Sequence, residues 1–280
     1  MNRRDWVRGA AAFAAQQSLA ASLSTIGVQL YTVRDMVSKR PEETLRALDQ
    51  IGYREAEVIG TTLDRIWNDL ERTQLKPVSV HLDSALFRPE NHDRLRASLM
   101  DLRVRGFEYV VYPYVPPEER HGEQTFRQLA DALNRAGALC RAAGIALCYH
   151  NHAFEFQPFG SKTGFEILMD AVDKAAVGLE MDVFWVAVGG HDPVELLRKY
   201  AGHVKLLHIK DKVEARPQFS ENVPRAWFQE VGTGVLDWKR ILAAARGAGV
   251  QHYFVEQDAT PGNPLDSLRT SFEYLQRLKF

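Results

Sequence analysis

Four side chains that bind metals or transfer protons stand at the carboxyl ends of short apolar runs. They are His150 after "IALCY", Asp182 after "VGLEM", His208 in "VKLLHIKD" and Glu256 in "HYFVEQD". Near-continuous apolar runs of this length are typical of parallel strands that are buried on both faces. Burying an unpaired charge at the end of such a strand costs free energy comparable with the stability of a domain. A divalent cation shared by all four side chains would offset that cost.

The donor types restrict which ion would bind. Carboxylate oxygens and neutral imidazoles suit Mn²⁺, Zn²⁺, Co²⁺ or Fe²⁺, and the four residues offer no thiolate. The mixed set favours Mn²⁺ or Zn²⁺, and the imidazoles disfavour Mg²⁺. Each residue also has a structural alternative: Asp182 could cap the turn before Phe184, for example, and Glu256 could pair with Lys210. Four such alternatives at equivalent positions of one fold explain the pattern less well than one ion does.

Strand-like and helix-like segments alternate from Thr25 onward. The predicted strands cover 25–31, 54–60, 77–83, 107–115, 145–150, 176–182, 203–211 and 250–258. The predicted helices cover 41–52, 63–74, 91–106, 119–143, 163–173, 192–202, 231–249 and 264–278. Eight such units predict an α/β protein with a single (β/α)₈ TIM barrel. An open doubly wound sheet is the alternative, but "LYTVRD" after the first strand lacks its glycine-rich fingerprint.

The barrel prediction adds residues to the candidate site, because active sites of such barrels lie at the carboxyl ends of the strands. The residues predicted to bind substrate are Gln29, Tyr31, Glu57, His81, Trp185 and Lys210. Trp185 would form a flat wall for a sugar ring, with core packing as the alternative. Glu180 lies two residues before Asp182, faces the same way, and is predicted to contact the metal ligands. The glycines of "VGTGVLDW" would either hold an anion at a helix start or form a tight turn.

Composition excludes several classes of protein. The chain has 280 residues, a formal net charge of -1 and 45% hydrophobic residues, which suits one globular core. The near-neutral balance predicts no nucleic-acid partner, and it argues against a DNA endonuclease with a basic surface. Cys140 and Cys148 are interpreted as two core thiols rather than a disulfide. A homodimer is common among barrel enzymes, but no segment indicates an interface.

Residues 1–24 differ in character from the rest. Arg3 and Arg4 precede Trp6 and an alanine-rich stretch, a pattern typical of a twin-arginine export signal with cleavage near Ala21. Residues 25–280 would then form the barrel of a periplasmic or otherwise exported protein. The alternative is an amphipathic helix of a cytoplasmic protein. The stretch is too short and too polar to predict stable membrane insertion.

Six segments carry a family resemblance: "GVQLYTVR", "YHNHAFEF", "LEMDVFW", "LLHIKD", "VGTGVLDW" and "FVEQD". In this order they resemble the xylose isomerase-like TIM barrel superfamily, which includes the sugar phosphate isomerase/epimerase family. The resemblance implies one divalent metal held by Glu, Asp, His and Glu from strands five to eight. Asp182, His208 and Glu256 match the last three. His150 stands where many members have glutamate, so His152 or Glu155 is the alternative ligand from that strand.

The implied reaction begins with proton removal from a carbon beside a carbonyl. Glu256, His152 and Glu155 are the candidate catalytic groups for the proton transfers. We therefore expect a metal-dependent isomerase or epimerase that acts through an enediolate on an unphosphorylated sugar or keto-sugar. A lyase or dehydratase on a 3-keto sugar, glycoside or inosose is the first alternative, because imidazolium at His150 would be a good acid for a leaving group. A non-catalytic sugar-binding barrel is the second.

Overall fold

Eight parallel strands close into a barrel in the computed structural model, which describes residues 21–280. The strands are β1 (Gly27–Gln29), β2 (Glu55–Ile59), β3 (Lys76–His81), β4 (Tyr109–Tyr112), β5 (Ala146–His150), β6 (Val177–Asp182), β7 (Val204–Ile209) and β8 (His252–Val255). Each strand pairs with its sequence neighbours, and β8 pairs with β1 to close the ring. The predicted (β/α)₈ barrel is confirmed.

Helices connect the strands around the outside of the barrel. They are α1 (Arg34–Lys39), α2 (Pro41–Ile51), α3 (Leu63–Leu70), α4 (His92–Val104), α5 (Glu123–Ala142), α6 (Gly164–Ala171), α7 (Val183–Val188), α8 (Pro193–Lys199), α9 (Trp238–Ala248) and α10 (Pro264–Arg277). Helix α2 begins at its proline and ends before Gly52, which has a φ of 123° that L-residues rarely adopt. Helices α1 and α7 were not predicted, since both are too short for a helical period to show.

The glycine-rich loop before α9 corrects one prediction. The helix begins at Trp238 rather than at residue 231, because the preceding loop wraps around the buried carboxylate of Asp211. That carboxylate accepts hydrogen bonds from the backbone of Gly232 (2.9 Å) and Gly234 (3.2 Å) and from Trp238 Nε1 (2.7 Å). A Cβ on Gly234 would lie 2.3 Å from Asp211 Oδ1. The anion that this loop holds is therefore a side chain of the protein itself.

The barrel interior is layered, and this layering positions the site. The lower layer is an apolar plug formed by Val78, Tyr109, Val111, Cys148, Leu206 and Phe254. Polar side chains fill the layers above it, towards the carboxyl ends of the strands. The plug closes the barrel from below, so the polar layers open only at the carboxyl-terminal mouth. Both cysteines are buried and free, as predicted.

Two of the sequence-based predictions concern membranes and export. None of the described helices is long and apolar enough to cross a membrane. Residues 1–20 lie outside the described part of the chain, so the predicted export signal stays a prediction. The described chain begins at Ala21, whose backbone N–H donates to the carbonyl of Phe280 at 2.8 Å.

One buried histidine away from the mouth predicts acid sensitivity. His203 precedes β7, its Nε2 has no hydrogen-bond partner, and burial lowers its pKa from 6.5 to about 4. Between these values the unfolded chain binds the proton and the folded chain does not, so stability falls as the pH drops through this window. We expect a loss of roughly 2 kcal/mol at the acidic end from this residue. Urea unfolding near pH 7 and near pH 4.5 measures this loss of stability. The difference in unfolding free energy between the two pH values should be smaller in His203→Gln than in the parent. An equal difference would contradict the assignment of the acid sensitivity to His203.

Candidate active site

Three predicted metal ligands meet at the mouth of the barrel. Asp182 ends β6, His208 lies in β7 and Glu256 follows β8; we call these three residues the outer cluster. Each offers a donor atom, and these atoms all lie within 4.8 Å of one another. His208 Nδ1 lies 2.9 Å from Glu256 Oε2 and 3.8 Å from Asp182 Oδ2. The convergence of side chains from three strands is the arrangement that a shared cation requires.

Asp182 uses its two oxygens differently. Oδ1 accepts a hydrogen bond from the backbone N–H of Trp185 at 3.0 Å and so caps α7. Oδ2 is buried and accepts no hydrogen bond, although Lys210 Nζ approaches to 3.0 Å. A buried carboxylate oxygen without a hydrogen bond, aimed at an imidazole and a second carboxylate, fits a divalent cation. Asp182 therefore fits both interpretations: Oδ1 caps the helix, and Oδ2 is the candidate metal ligand.

Lys210 is a buried cation set among carboxylates. Its Nζ lies 2.8 Å from Glu256 Oε2 and 2.8 Å from Asp258 Oδ1, in addition to its approach to Asp182. Burial alone would lower the pKa of Lys210, but the carboxylates of Asp182, Asp258 and Glu256 outweigh it and raise the pKa well above its usual value. Burial likewise opposes ionisation of Glu256, yet Lys210 and His208 hold its pKa below the usual range. The lysine therefore favours the ionised form of Glu256.

A second group of donors lies deeper in the barrel. We call His81, His150 and Glu180 the inner cluster, and one nitrogen of His208 completes it, with all donor atoms within 4.8 Å. His150 Nδ1 lies 3.0 Å from Glu180 Oε2, whereas His150 Nε2 is 3.8 Å from Asp182 Oδ2. Burial lowers the pKa of His150. Nδ1 of His150 therefore belongs to the inner cluster, whereas its Nε2 lies as far from Asp182 Oδ2 as Nδ1 of His208 does.

Gln29 and Glu57 lie beneath the pocket rather than in its wall. Both are fully buried, and Gln29 Nε2 donates to Glu57 Oε2 at 2.7 Å. The same Glu57 oxygen lies 2.5 Å from His208 Nε2 and 3.0 Å from His81 Nε2. Glu57 stands two residues inside the end of β2, one layer below the mouth. This depth corrects the expectation that these two residues contact substrate; Glu57 contacts the histidines instead, and Gln29 holds Glu57.

A cavity of about 570 Å³ opens above the two clusters. Tyr31, His81, Trp185 and Lys210 line it, as the sequence predicted. Aromatic rings that the sequence did not single out complete the wall: Tyr114, and Phe228 from the loop after β7. A cavity of this size with flat apolar walls and a polar floor fits a sugar or a cyclic polyol.

His152 and Glu155, the alternatives offered after β5, differ in position. The His152 ring lines the cavity 5.4 Å from the ring of Trp185, and its buried Nδ1 has no hydrogen-bond partner. Burial lowers its pKa. The Glu155 carboxylate instead accepts from Tyr149 Oη (2.6 Å) and from the backbone N–H of His152 (2.9 Å), and burial raises its pKa to about 7. Glu155 thus fixes the turn that presents His152.

Two features of the mouth escaped the sequence analysis. Asp258 lines the cavity and binds Lys210, and burial raises its pKa to about 6. The alternation of strand side chains offered a signal, since Asp258 follows Glu256 at a spacing of two. Arg120 and Glu221 form an ion pair across the mouth from two loops, and Arg120 also stacks on Phe154 at 3.6 Å. No local sequence pattern indicates an ion pair between residues that are 101 positions apart.

The other end of the barrel is less suited to catalysis. A depression of about 650 Å³ lies there, with Arg103, Arg141 and Lys174 in its lining. The apolar plug separates it from both clusters. The carboxyl-terminal mouth is therefore the candidate active site.

Comparison with known proteins agrees with this architecture. Residues 45–278 match the family model described as "Xylose isomerase-like TIM barrel". The chain is 32% identical over 183 residues to an inosose dehydratase of Geobacillus kaustophilus, which covers 59% of this chain and 58% of that protein. An inosose dehydratase of Clostridium perfringens is 31% identical over 167 residues, covering 55% of each chain. The chain thus matches a little over half the length of these relatives.

Solved structures share the fold at lower identity. A sugar phosphate isomerase/epimerase from Parabacteroides distasonis superposes with a TM-score of 0.76 at 22% identity, covering 91% of this chain and 98% of that one. The IOLI protein with a bound zinc atom gives a TM-score of 0.68 at 15% identity over 89% of this chain and 95% of that one. The 3-keto-D-glucoside 4-epimerase YcjR of E. coli gives 0.65 at 14% over 91% and 99%. Identities this low show a common barrel and leave the chemistry to the residues of each site.

Proposed function

The chain belongs to the xylose isomerase-like TIM barrel family, and from that premise we propose that it is a divalent-metal-dependent enzyme that removes a proton beside the carbonyl of an unphosphorylated keto-sugar or inosose. One observation carries the proposal. Glu256 of the outer cluster and His152 line one aromatic cavity, and donor atoms of Asp182 and His208 lie within 4.8 Å of a Glu256 oxygen. Such a site holds a carbonyl oxygen on one side and a proton acceptor on the other.

The charge of the cavity wall favours a substrate without phosphate. Lys210 is the one Lys or Arg among the described residues of this lining, and three carboxylates already surround it. Asp83 adds further negative charge to the lining, whereas Glu221 is paired with Arg120. A phosphate group would meet repulsion here, whereas sugar hydroxyls can donate to these carboxylates.

The residues divide the work of proton abstraction. Asp182, His208 and Glu256 would hold the divalent cation, which when bound polarises a carbonyl and makes the neighbouring C–H more acidic. His152 would take the proton from carbon, because its ring lines the cavity. Glu155 keeps the His152 backbone in place. Lys210 balances the charge of the mouth and orients Glu256 and Asp258.

Dehydration is the outcome that we propose first. The sequence alone favoured isomerisation or epimerisation, but the similarity to inosose dehydratases supports loss of water from the same intermediate. The proton passes from carbon to His152, a double bond forms, and the hydroxyl on the next carbon leaves as water after it takes a proton. Asp258 and Lys210, both in the mouth, are the candidate donors. Epimerisation is the second candidate, since Asp258 could return a proton to the carbon instead.

Hydrogen exchange in deuterium oxide tests the proposal. The Mn²⁺- or Zn²⁺-loaded protein is incubated with a panel of inososes and 3-keto sugars, and NMR follows the carbon-bound hydrogen beside the carbonyl. We expect exchange together with an unsaturated product and one equivalent of water. Exchange with a stereoisomer as product would favour epimerisation. Sugar binding without exchange in any substrate would indicate a binding barrel and overturn the proposal.

His152→Gln should slow this exchange by about 10²- to 10⁴-fold, the usual contribution of a positioned general base. The amide keeps a similar shape and the backbone N–H to Glu155, so the fold should persist. His191→Gln is the matched control, because His191 packs on Phe156 at 4.8 Å and is absent from the cavity lining. Parent-like exchange in His152→Gln would assign proton abstraction to another group.

A further inference from the structure

The inner cluster has the composition of a transition-metal site in its own right. We propose that His81, His150 and Glu180, completed by Nε2 of His208, bind a second divalent cation beneath the one assigned to the outer cluster. Three imidazoles and one carboxylate form the N₃O donor set that suits Zn²⁺ or Co²⁺. The inference rests on the proposed function only through His208, which the two clusters share.

The donor atoms converge on one point. Three imidazole nitrogens surround Glu180 Oε2: His81 Nε2 at 2.8 Å, His150 Nδ1 at 3.0 Å and His208 Nε2 at 3.4 Å. Nitrogens from three different strands, all directed at a single oxygen, are already spaced as neighbouring ligands of one ion would be. A small shift of the carboxylate would let it join them as the fourth ligand of a tetrahedral site.

The inner layer also contains two buried carboxylates. Glu57 and Glu180 are fully buried, and their charged contacts in the described structure are to histidines alone. Lys210, the buried lysine of the mouth, is engaged by the outer carboxylates. Oε1 of Glu57 and Oε1 of Glu180 have no hydrogen-bond partner. Two buried carboxylates with orphaned oxygens are costly in isolation, and a divalent cation between them offsets that cost.

The backbone directs both carboxylates towards this point. The strand register shifts between Ala56 and Glu57 in β2 and again between Leu179 and Glu180 in β6. Register shifts of this kind re-aim side chains and are common beside functional sites. His81 and His150 line the cavity, so an ion can reach the inner cluster from the mouth.

The two clusters can be loaded together if His208 gives its ring N–H proton to Glu57, whose Oε2 lies 2.5 Å from Nε2, and bridges the two ions as an imidazolate. The ring then presents a different nitrogen to each ion. Nδ1 faces Asp182 and Glu256, and Nε2 faces Glu57 and Glu180. The outer cluster offers two carboxylates and one imidazole, a harder set that suits Mn²⁺ better than the inner set does. Mixed loading with Zn²⁺ and Mn²⁺ should therefore be ordered, with Zn²⁺ in the inner cluster.

Metal stoichiometry tests the inference. The purified protein is saturated with Zn²⁺, freed of unbound ion by gel filtration, and analysed by mass spectrometry of the metal. We expect two ions per chain in the parent, one in Glu180→Gln and one in Asp182→Asn. Glu55→Gln is the matched control and should keep two, because Glu55 lies in the same barrel but contacts His252, outside both clusters.

Each other result identifies what has failed. One ion that survives Glu180→Gln and disappears in Asp182→Asn overturns the inner site and leaves the proposed function intact. One ion with the opposite pattern supports the inner site and contradicts the outer one. No ion in the parent overturns both. Should Glu180→Gln not fold, anomalous diffraction from parent crystals soaked in Co²⁺ decides: a peak among His81, His150 and Glu180 is expected, and a single peak at Asp182 contradicts the inference.

Discussion

Asp182→Asn should reduce hydrogen exchange beside the substrate carbonyl by at least about a thousandfold, because loss of a metal ligand removes several kcal/mol of charge stabilisation. The variant should nevertheless keep its fold. Asparagine retains an oxygen that can accept from the backbone N–H of Trp185, so the cap of α7 survives. The exchange assay and a thermal melt of the same sample measure the two effects separately.

A second substitution and a control separate the roles of the two oxygens. Asp182→Ala should lose the same activity and also about 1 kcal/mol of stability, because the helix cap is gone. Asp192→Asn is the matched control: Asp192 caps α8 through Val194 in the same way but belongs to neither cluster. Parent-like exchange in Asp182→Asn would show that Oδ2 has no part in the reaction, and the outer cluster would have to be abandoned.

The fold was predictable from local signals. Each buried strand appears as an apolar run, and helix boundaries such as Pro41 and Gly52 have direct physical causes in fixed and positive φ angles. Eight repeats of this pattern leave few topologies, since parallel neighbours require a crossover helix each time. Helices α1 and α7 were missed because six residues cannot display a helical period.

The site was predictable only in part. Alternation along each strand placed Asp182, His208 and Glu256 at one end of the barrel, and they do converge. The depth of each side chain along the barrel axis could not be predicted from the sequence in the same way. The register shifts before Glu57 and Glu180 depend on how neighbouring strands pair. A shift of one residue decides which layer a side chain enters. The depth of Glu57 and the contact of Glu180 with His150 follow from that three-dimensional register.

Lys210→Met should lower the free energy of unfolding by about 3–5 kcal/mol, which is the usual cost of removing one partner from a buried ion pair. The Lys210 side chain is 1% exposed, and its Nζ lies within 3.0 Å of oxygens from Asp182, Glu256 and Asp258. In the variant, these carboxylates repel one another because no lysine balances their charge. Chemical unfolding of the metal-free protein measures the loss, since a bound cation would replace part of the missing charge.

Two further variants show whether charge is the cause. Lys212→Met is the matched control: Lys212 is also buried, but the described structure gives it no ion pair, and burial lowers its pKa, so its loss should cost little. In Lys210→Met/Asp258→Asn, one of the repelling charges is removed, and stability should recover by at least about 1 kcal/mol relative to Lys210→Met because contacting residues are not additive. Recovery would attribute the destabilisation to unbalanced carboxylates. An equally unstable double variant would instead mean that the lysine stem supports the mouth by packing, and that the carboxylates tolerate one another without it.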